Sequence, residues 1–207
     1  MIRLKTGKMS TREGNVIYIN DLINEAIEKS KKIITSKNAN IEDIDTVSKQ
    51  IGIGALIFNY LKSNKNKDMI FDLDETLRFD GETGPYIQYT CARINSILNK
   101  ADFNIENIVI NSIDLSVLNN KQEIELIKIL DKFDDVIKKS AIEYEPSILS
   151  RYLIEVATIF SRFYNECSVL SVEDINLKNA RCILVYATKI VIKNGLEILG
   201  IECPEKM

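Results

Sequence analysis

Apolar positions recur along most of this chain at steps of three and four, the period of helices that each bury one face. Leu22, Ile23, Ala26, Ile27 and Ile34 mark a first helix, with Asn20 or Asp21 as its cap. After a turn at Asn38 to Asn40, the positions Ile44, Val47, Ile51, Ala55, Phe58 and Leu61 predict a second, from Ile41 to about Lys62. Gly84-Pro85 opens a third, since proline suits the first helical turn, and Ile87, Cys91, Ile94, Leu98 and Ala101 form its core stripe. Lys121 to Ala141 predicts one long amphipathic helix with Ile124, Ile127, Leu130, Phe133, Ile137 and Ala141 inside. Glu145-Pro146-Ser147 breaks and restarts the chain. Leu149, Leu153, Val156, Phe160, Phe163 and Cys167 then follow as a regular bundle stripe. A final helix runs from about Leu177 through Ile183, Ala187 and Ile190 to Leu199, with Gly200 as its cap and Pro204 beyond.

Strand signals are few. Val16 to Ile19 is short, β-branched and aromatic, and Met69 to Leu73 reads as a strand or an extended segment after the lysine-rich connection Ser63 to Asp68. Asp102 to Leu118 is irregular. Gly52 and Gly54 sit inside the second helix, where Ile57 in the third position and the lack of a preceding strand exclude a dinucleotide fingerprint and leave close helix packing as their use. The pattern predicts a mainly α fold.

Composition narrows the chemistry. The 207 residues suffice for one or two cores, and 45% hydrophobic with 28% charged residues is an ordinary globular balance. A net charge of -3 excludes a globally basic protein but leaves room for a local cationic patch. With no histidine, Ser-His-Asp and Cys-His catalysis and histidine general bases are excluded. Cys91, Cys167, Cys182 and Cys203 form no CxxC pair and offer no zinc spacing, so they read as reduced thiols in a cytosol. No apolar run approaches the ~18 residues of a membrane span, and the mixed start is unlike a signal peptide. Asp72, Asp74, Glu75, Asp80 and Glu82 lack calcium-loop spacing and read as a solvated acidic surface, so no metal is expected.

Two stretches carry candidate chemistry. In Phe79 to Arg93, FDGETGPYIQYTCAR, the core stripe occupies one face of the helix while Tyr86, Tyr89 and Arg93, at i, i+3 and i+7, share another. Two phenols and a guanidinium suit stacking on unpaired bases with a cation close by. The alternative is that the tyrosines finish the core with wet hydroxyls and Arg93 makes an ordinary salt bridge. Near the start, Arg3, Lys5, Lys8 and Arg12 precede the first acid, and Gly7 and Gly14 bracket a polar loop suited to a polyphosphate. It is not a P-loop, because Met9 follows Gly7-Lys8 and the upstream glycine is missing.

These stretches, together with GKMSTREGNVIYINDLINEA, SRFYNEC at Ser161 to Cys167 and the ending GLEILGIECPEKM, resemble the C-terminal part of an arginyl-tRNA synthetase over nearly the whole chain. The resemblance implies a small α/β stem-contact region with the end of the catalytic part at 1–75, followed at 76–207 by a helical bundle of the DALR anticodon-binding type. It implies that Lys8, Met9, Ser10, Thr11 and Arg12 stand for the KMSKS loop at ATP, with Lys8, Ser10 and Arg12 in catalytic roles. Thr11 replaces the second lysine of that pattern, so this cation is missing unless Arg12 supplies it. Tyr86, Tyr89, Arg93, Tyr164 and Met207 become the anticodon face, and Asp80, Gly81, Glu82 and Thr83 touch the anticodon stem.

The implied partners are arginine tRNA and an upstream catalytic domain, which the chain lacks because it has neither a HIGH-type signature nor a nucleotide fold. ATP with Mg2+ serves the full-length enzyme, and no cofactor is expected to bind this part tightly. The expected setting is a cytoplasmic monomer. The alternatives are the anticodon-binding bundle of another class I synthetase, such as the cysteinyl enzyme, or a glycyl β chain, or a helical module that binds protein through its tyrosine face.

Overall fold

The computed structural model describes residues 18–38, 41–107 and 113–207, and the backbone of 2–4. Short strand β1 (Ile2–Leu4) pairs in parallel with β2 (Met69–Phe71), Ile2 opposite Met69 and Leu4 opposite Phe71. The other elements among the described residues are helices: α1 (Ile19–Lys37), α2 (Ile44–Leu61), a single turn α3 (Leu73–Thr76), α4 (Gly84–Lys100), α5 (Lys121–Asp131), α6 (Phe133–Ile142), α7 (Ser147–Glu166) and α8 (Ile175–Ile198). The irregular stretch before α5 holds two single-turn 3-10 segments, Ile105–Asn107 and Leu115–Val117. Among the described residues no helix is long and apolar enough to cross a membrane.

Two cores share α2. The smaller gathers Leu22 and Ala26 of α1, Ala55 and Leu56 of α2, and Phe71, Leu73 and Leu77 beyond it. Here Gly52 has the packing role expected of it: a Cβ at this position would stand 2.9 Å from the backbone nitrogen of Ile27, so α1 and α2 touch backbone to backbone only because it is absent. The larger core is built from α4, α5, α7 and α8 with Phe58 of α2, and every member of the α7 stripe from Leu149 to Cys167 is buried.

The structure corrects two expectations. Ile19 is already the first residue of α1 and Tyr18 its extended cap residue, so the second half of the strand expected at Val16 to Ile19 does not form, and Val16 and Ile17 lie outside the described residues. Asn20 and Asp21 therefore fall inside the first turn, where the Asp21 carboxylate suits the positive end of the helix.

The long helix expected from Lys121 to Ala141 is two, divided at Lys132, and its buried stripe is rotated. Leu126 and Ile129 are in the core, whereas Ile124, Ile127 and Ala141 face solvent. The cause is Glu123, only 1% exposed. Its carboxylate accepts 2.7 Å from Arg181 Nε and 2.8 Å from the backbone N–H of the cap residue Asn120, which turns that side of α5 inward. Cys91 and Cys203, with Cα atoms 6.8 Å apart, bring their sulfurs together between α4 and the end of the chain, while Cys167 and Cys182 are buried apart from them.

Candidate nucleic-acid interface

The start of α4 is locked by one side chain. The Thr83 hydroxyl accepts from Tyr86 N–H at 3.2 Å and donates to the Arg78 carbonyl at 2.6 Å, while Pro85 occupies the first turn. The helix thus held presents Tyr89 and Arg93, one turn apart, on its half-buried side. The Arg93 guanidinium carbon lies 4.9 Å from the centre of the Tyr89 ring and 5.5 Å from that of Tyr164 on α7. A cation between two π faces is fixed by electrostatic attraction to both rings, and its planar fork keeps donors free at the edge. Tyr164 is itself backed by Phe160, with ring centres 6.5 Å apart and planes 23° from parallel.

The third component comes from the end of the chain. After α8, Gly200 takes φ +73°, a conformation that glycine adopts without strain, and Ile201 N–H reaches back to the Leu196 carbonyl at 2.9 Å. The tail then runs along α4, so that Glu205, Lys206 and Met207 join Tyr89, Arg93 and Tyr164 around one open cavity of about 690 Å³. Asn38, Ala92, Ser96, Asn99, Lys100 and Asn165 complete the lining. Arg93, Lys100 and Lys206 bring three cations to this lining beside Glu205, and Lys206 Nζ also stands 3.6 Å from the Glu42 carboxylate.

Four of the five expected anticodon residues, Tyr89, Arg93, Tyr164 and Met207, therefore meet. Tyr86 does not line the cavity: it is half-buried between α4 and α7, and its hydroxyl sits 3.3 Å from the Ala157 carbonyl and 3.2 Å from Ser161 Oγ.

The Asp80 to Thr83 loop stands at the opposite end of α4 from the cavity. Arg78 grips Asp80 at 2.8 and 3.0 Å and holds that carboxyl below its usual range, and Lys62 Nζ donates to the Glu82 carbonyl at 2.9 Å. Gly81, at φ +71°, is exposed with open space around it. Beside the loop Lys37 lies 4.4 Å over the Phe79 ring. The expected ATP loop, Lys8, Met9, Ser10, Thr11 and Arg12, lies outside the described residues.

Sequence reasoning missed Ser96 and Asn99, which continue the Arg93 face at steps of three, and Asn165 and Lys206, which adjoin residues it had selected. The helical period would have found the first two; the last two needed the fold.

An open cavity lined by tyrosines and an arginine beside a returning tail is a surface on which unpaired bases can stack. The chain belongs to the DALR anticodon binding domain family, which it matches over residues 87–207, and residues 1–73 match the class I (R) tRNA synthetase catalytic domain. The whole chain is similar to a part of the arginine-tRNA ligases of Clostridium botulinum and Clostridium beijerinckii, at 48% identity over 207 residues in each case. It spans 36% of the length of either relative. The solved arginyl-tRNA synthetase of Thermus thermophilus superposes on all of this chain with a TM-score of 0.89 at 29% identity, using 34% of its own length. That of Plasmodium falciparum covers 93% with a TM-score of 0.80, also at 29% identity and with 34% of its length.

Proposed function

We propose that this chain is the tRNA-docking part of an arginine-tRNA ligase and that the α4–α7–tail cavity holds the anticodon of arginine tRNA. The observation that carries this reading is Arg93, held between Tyr89 and Tyr164 and facing the tail that ends in Met207. Bases splayed from an anticodon loop stack on exposed tyrosine faces, and stacking is tolerant of base identity. The free edge of Arg93 and the polar groups of the tail supply directional hydrogen bonds, which are not. The Asp80 to Thr83 loop meets the anticodon stem through Gly81 and its exposed backbone, with Arg78 and Lys37 as the neighbouring cations for phosphate, since an acidic loop alone repels it. Tyr86 contributes by fixing α4 to α7.

In the whole enzyme, arginine would be activated with ATP and Mg2+ and transferred to the terminal adenosine of the tRNA. Lys8 to Arg12 would form one loop of that ATP site, a reading supported by the catalytic-domain match over residues 1–73. Lys8 would be its cation, and the second cation of the pattern, absent at Thr11, is supplied only if Arg12 takes its place. We place the enzyme in the cytoplasm as a monomer.

The test is a filter-binding titration of the chain with arginine tRNA and with an unrelated tRNA at several salt concentrations. Preference for the arginine tRNA, with log affinity falling linearly against log salt, is the expected outcome. Equal binding of both, or indifference to salt, would sink the reading and point to a protein-binding surface instead.

A further inference from the structure

Rotated away from Tyr89 and Arg93, α4 carries a second polar strip made of Gln88, Cys91 and Asn95, at i, i+3 and i+7. All three are buried, and each meets the tail in order. Gln88 Nε2 donates to the Glu202 carbonyl at 2.7 Å and to the Gln50 carbonyl of α2 at 3.1 Å. Cys91 packs against Cys203, and Asn95 Nδ2 donates to the Glu205 carbonyl at 3.1 Å. The seam is built to close tolerance: a Cβ at Gly54 would stand 2.7 Å from Gln88 Nε2 and 3.0 Å from Ile201 Cγ2.

This seam is costly as packing. Gln88 Oε1 and Asn95 Oδ1 are buried without a hydrogen-bond partner, and leucine or methionine at either position would remove that penalty. What a buried carboxamide supplies and an apolar side chain does not is direction, because its N–H reads one particular carbonyl. Two such groups, seven residues apart on a rigid helix, select a single register for the tail. A slip of one residue would move the last side chains by about 3.3 Å and reverse their facing.

We propose that Gln88 and Asn95 are positioning residues for recognition: they set the register of residues 201–207 so that Lys206 and Met207 wall the cavity facing Arg93, and through that wall they control discrimination between anticodons. This rests on the anticodon reading of the cavity. Neither residue lines the cavity itself; both act through the tail.

Asn95→Asp is the near-isosteric test, since it replaces the donor to Glu205 by an acceptor. Asn95→Ser serves as a second variant should the first fail to fold. Two readouts are made on the whole chain. In the first, carboxypeptidase release of Met207 and Lys206, followed by mass spectrometry, should be about three- to tenfold faster in the variant, the effect of losing one ordinary hydrogen bond. An unchanged release rate overturns the seam with no reference to RNA.

The second readout compares binding of arginine tRNA with that of a transcript altered at the middle anticodon base. Asn95→Asp should narrow the ratio between them, and the same substitution in a chain ending at Glu205 should narrow it no further, because the two changes act through one element. Ile94→Val, a neighbouring core change, should leave the ratio intact. A ratio that survives Asn95→Asp, or that falls equally with and without the last two residues, overturns the positioning role. Failure of the unaltered chain to separate the two transcripts would instead bring down the anticodon reading, and the positioning role with it.

Discussion

Arg93 illustrates what one side chain can hold in place. Its guanidinium is fixed by two rings from two helices, so the cation is in position before any ligand arrives and little side-chain freedom remains to be lost on binding. Tyr164 is 38% exposed and Ile94 fully buried, and their substitutions should separate binding from stability. Tyr164→Ala should weaken binding of arginine tRNA and of its middle-base variant together, by about five- to a hundredfold, the range for loss of one stacked base, while shifting the melting temperature little. Ile94→Ala should cost about 2–5 kcal/mol of stability and leave the ratio of the two affinities unchanged. Filter binding and thermal melts on both variants check this, and a melting loss for Tyr164→Ala as large as that for Ile94→Ala would place Tyr164 in the core.

Residue angles around α4 are legible in the sequence, which is why Tyr89 and Arg93 fall on one face in both the pattern and the structure. Height along the axis is not: Tyr86 shares their angle but sits about 4.5 Å lower, where α7 rather than open space stands opposite it. Met207 is legible only through resemblance, since nothing local shows where a tail returns.

At the scale of elements, α7 and α5 are opposite cases. The α7 stripe could be read directly because its core face is apolar beyond the two buried serines, Ser147 and Ser150, at its start. On α5 the same rule chose Ile124 and Ile127, and a buried acid overruled it. Glu123 points inward because Arg181, 12% exposed in its side chain and also donating to the Ser168 carbonyl at 2.6 Å, is waiting there on α8. A partner 58 residues away leaves no trace in local periodicity. Removing one member of such a pair leaves the other buried and uncompensated. Glu123→Ala should therefore cost about 3–5 kcal/mol, whereas replacing both, Glu123→Met with Arg181→Leu, should recover most of that loss. Urea denaturation of the single and double variants decides it, and a double variant no more stable than Glu123→Ala would show that the ions do more than neutralise each other.

At the scale of the whole molecule, the mainly α class and the bundle were legible because helical periodicity survives in nearly every segment, while the parallel pairing of β1 with β2 and the sharing of α2 between two cores were not. Both depend on contacts between distant parts of the chain. The tail seam is the extreme of this kind. It joins residues separated by 110 and 114 positions, whereas helices form from neighbours. Closing a long loop has an entropic cost that must be met before its contacts reward it, so the helices should assemble first and the seam last. A chain refolding from urea should therefore pass through a stage that is helical yet blind to the anticodon. In stopped-flow experiments the far-ultraviolet dichroism should recover ahead of the ability to tell the two transcripts apart, and coincident recovery would show that the tail docks along with the bundle. Order of assembly then becomes a safeguard: an unfinished domain could hold RNA loosely by charge but could not commit to a sequence until its last residues had found α4.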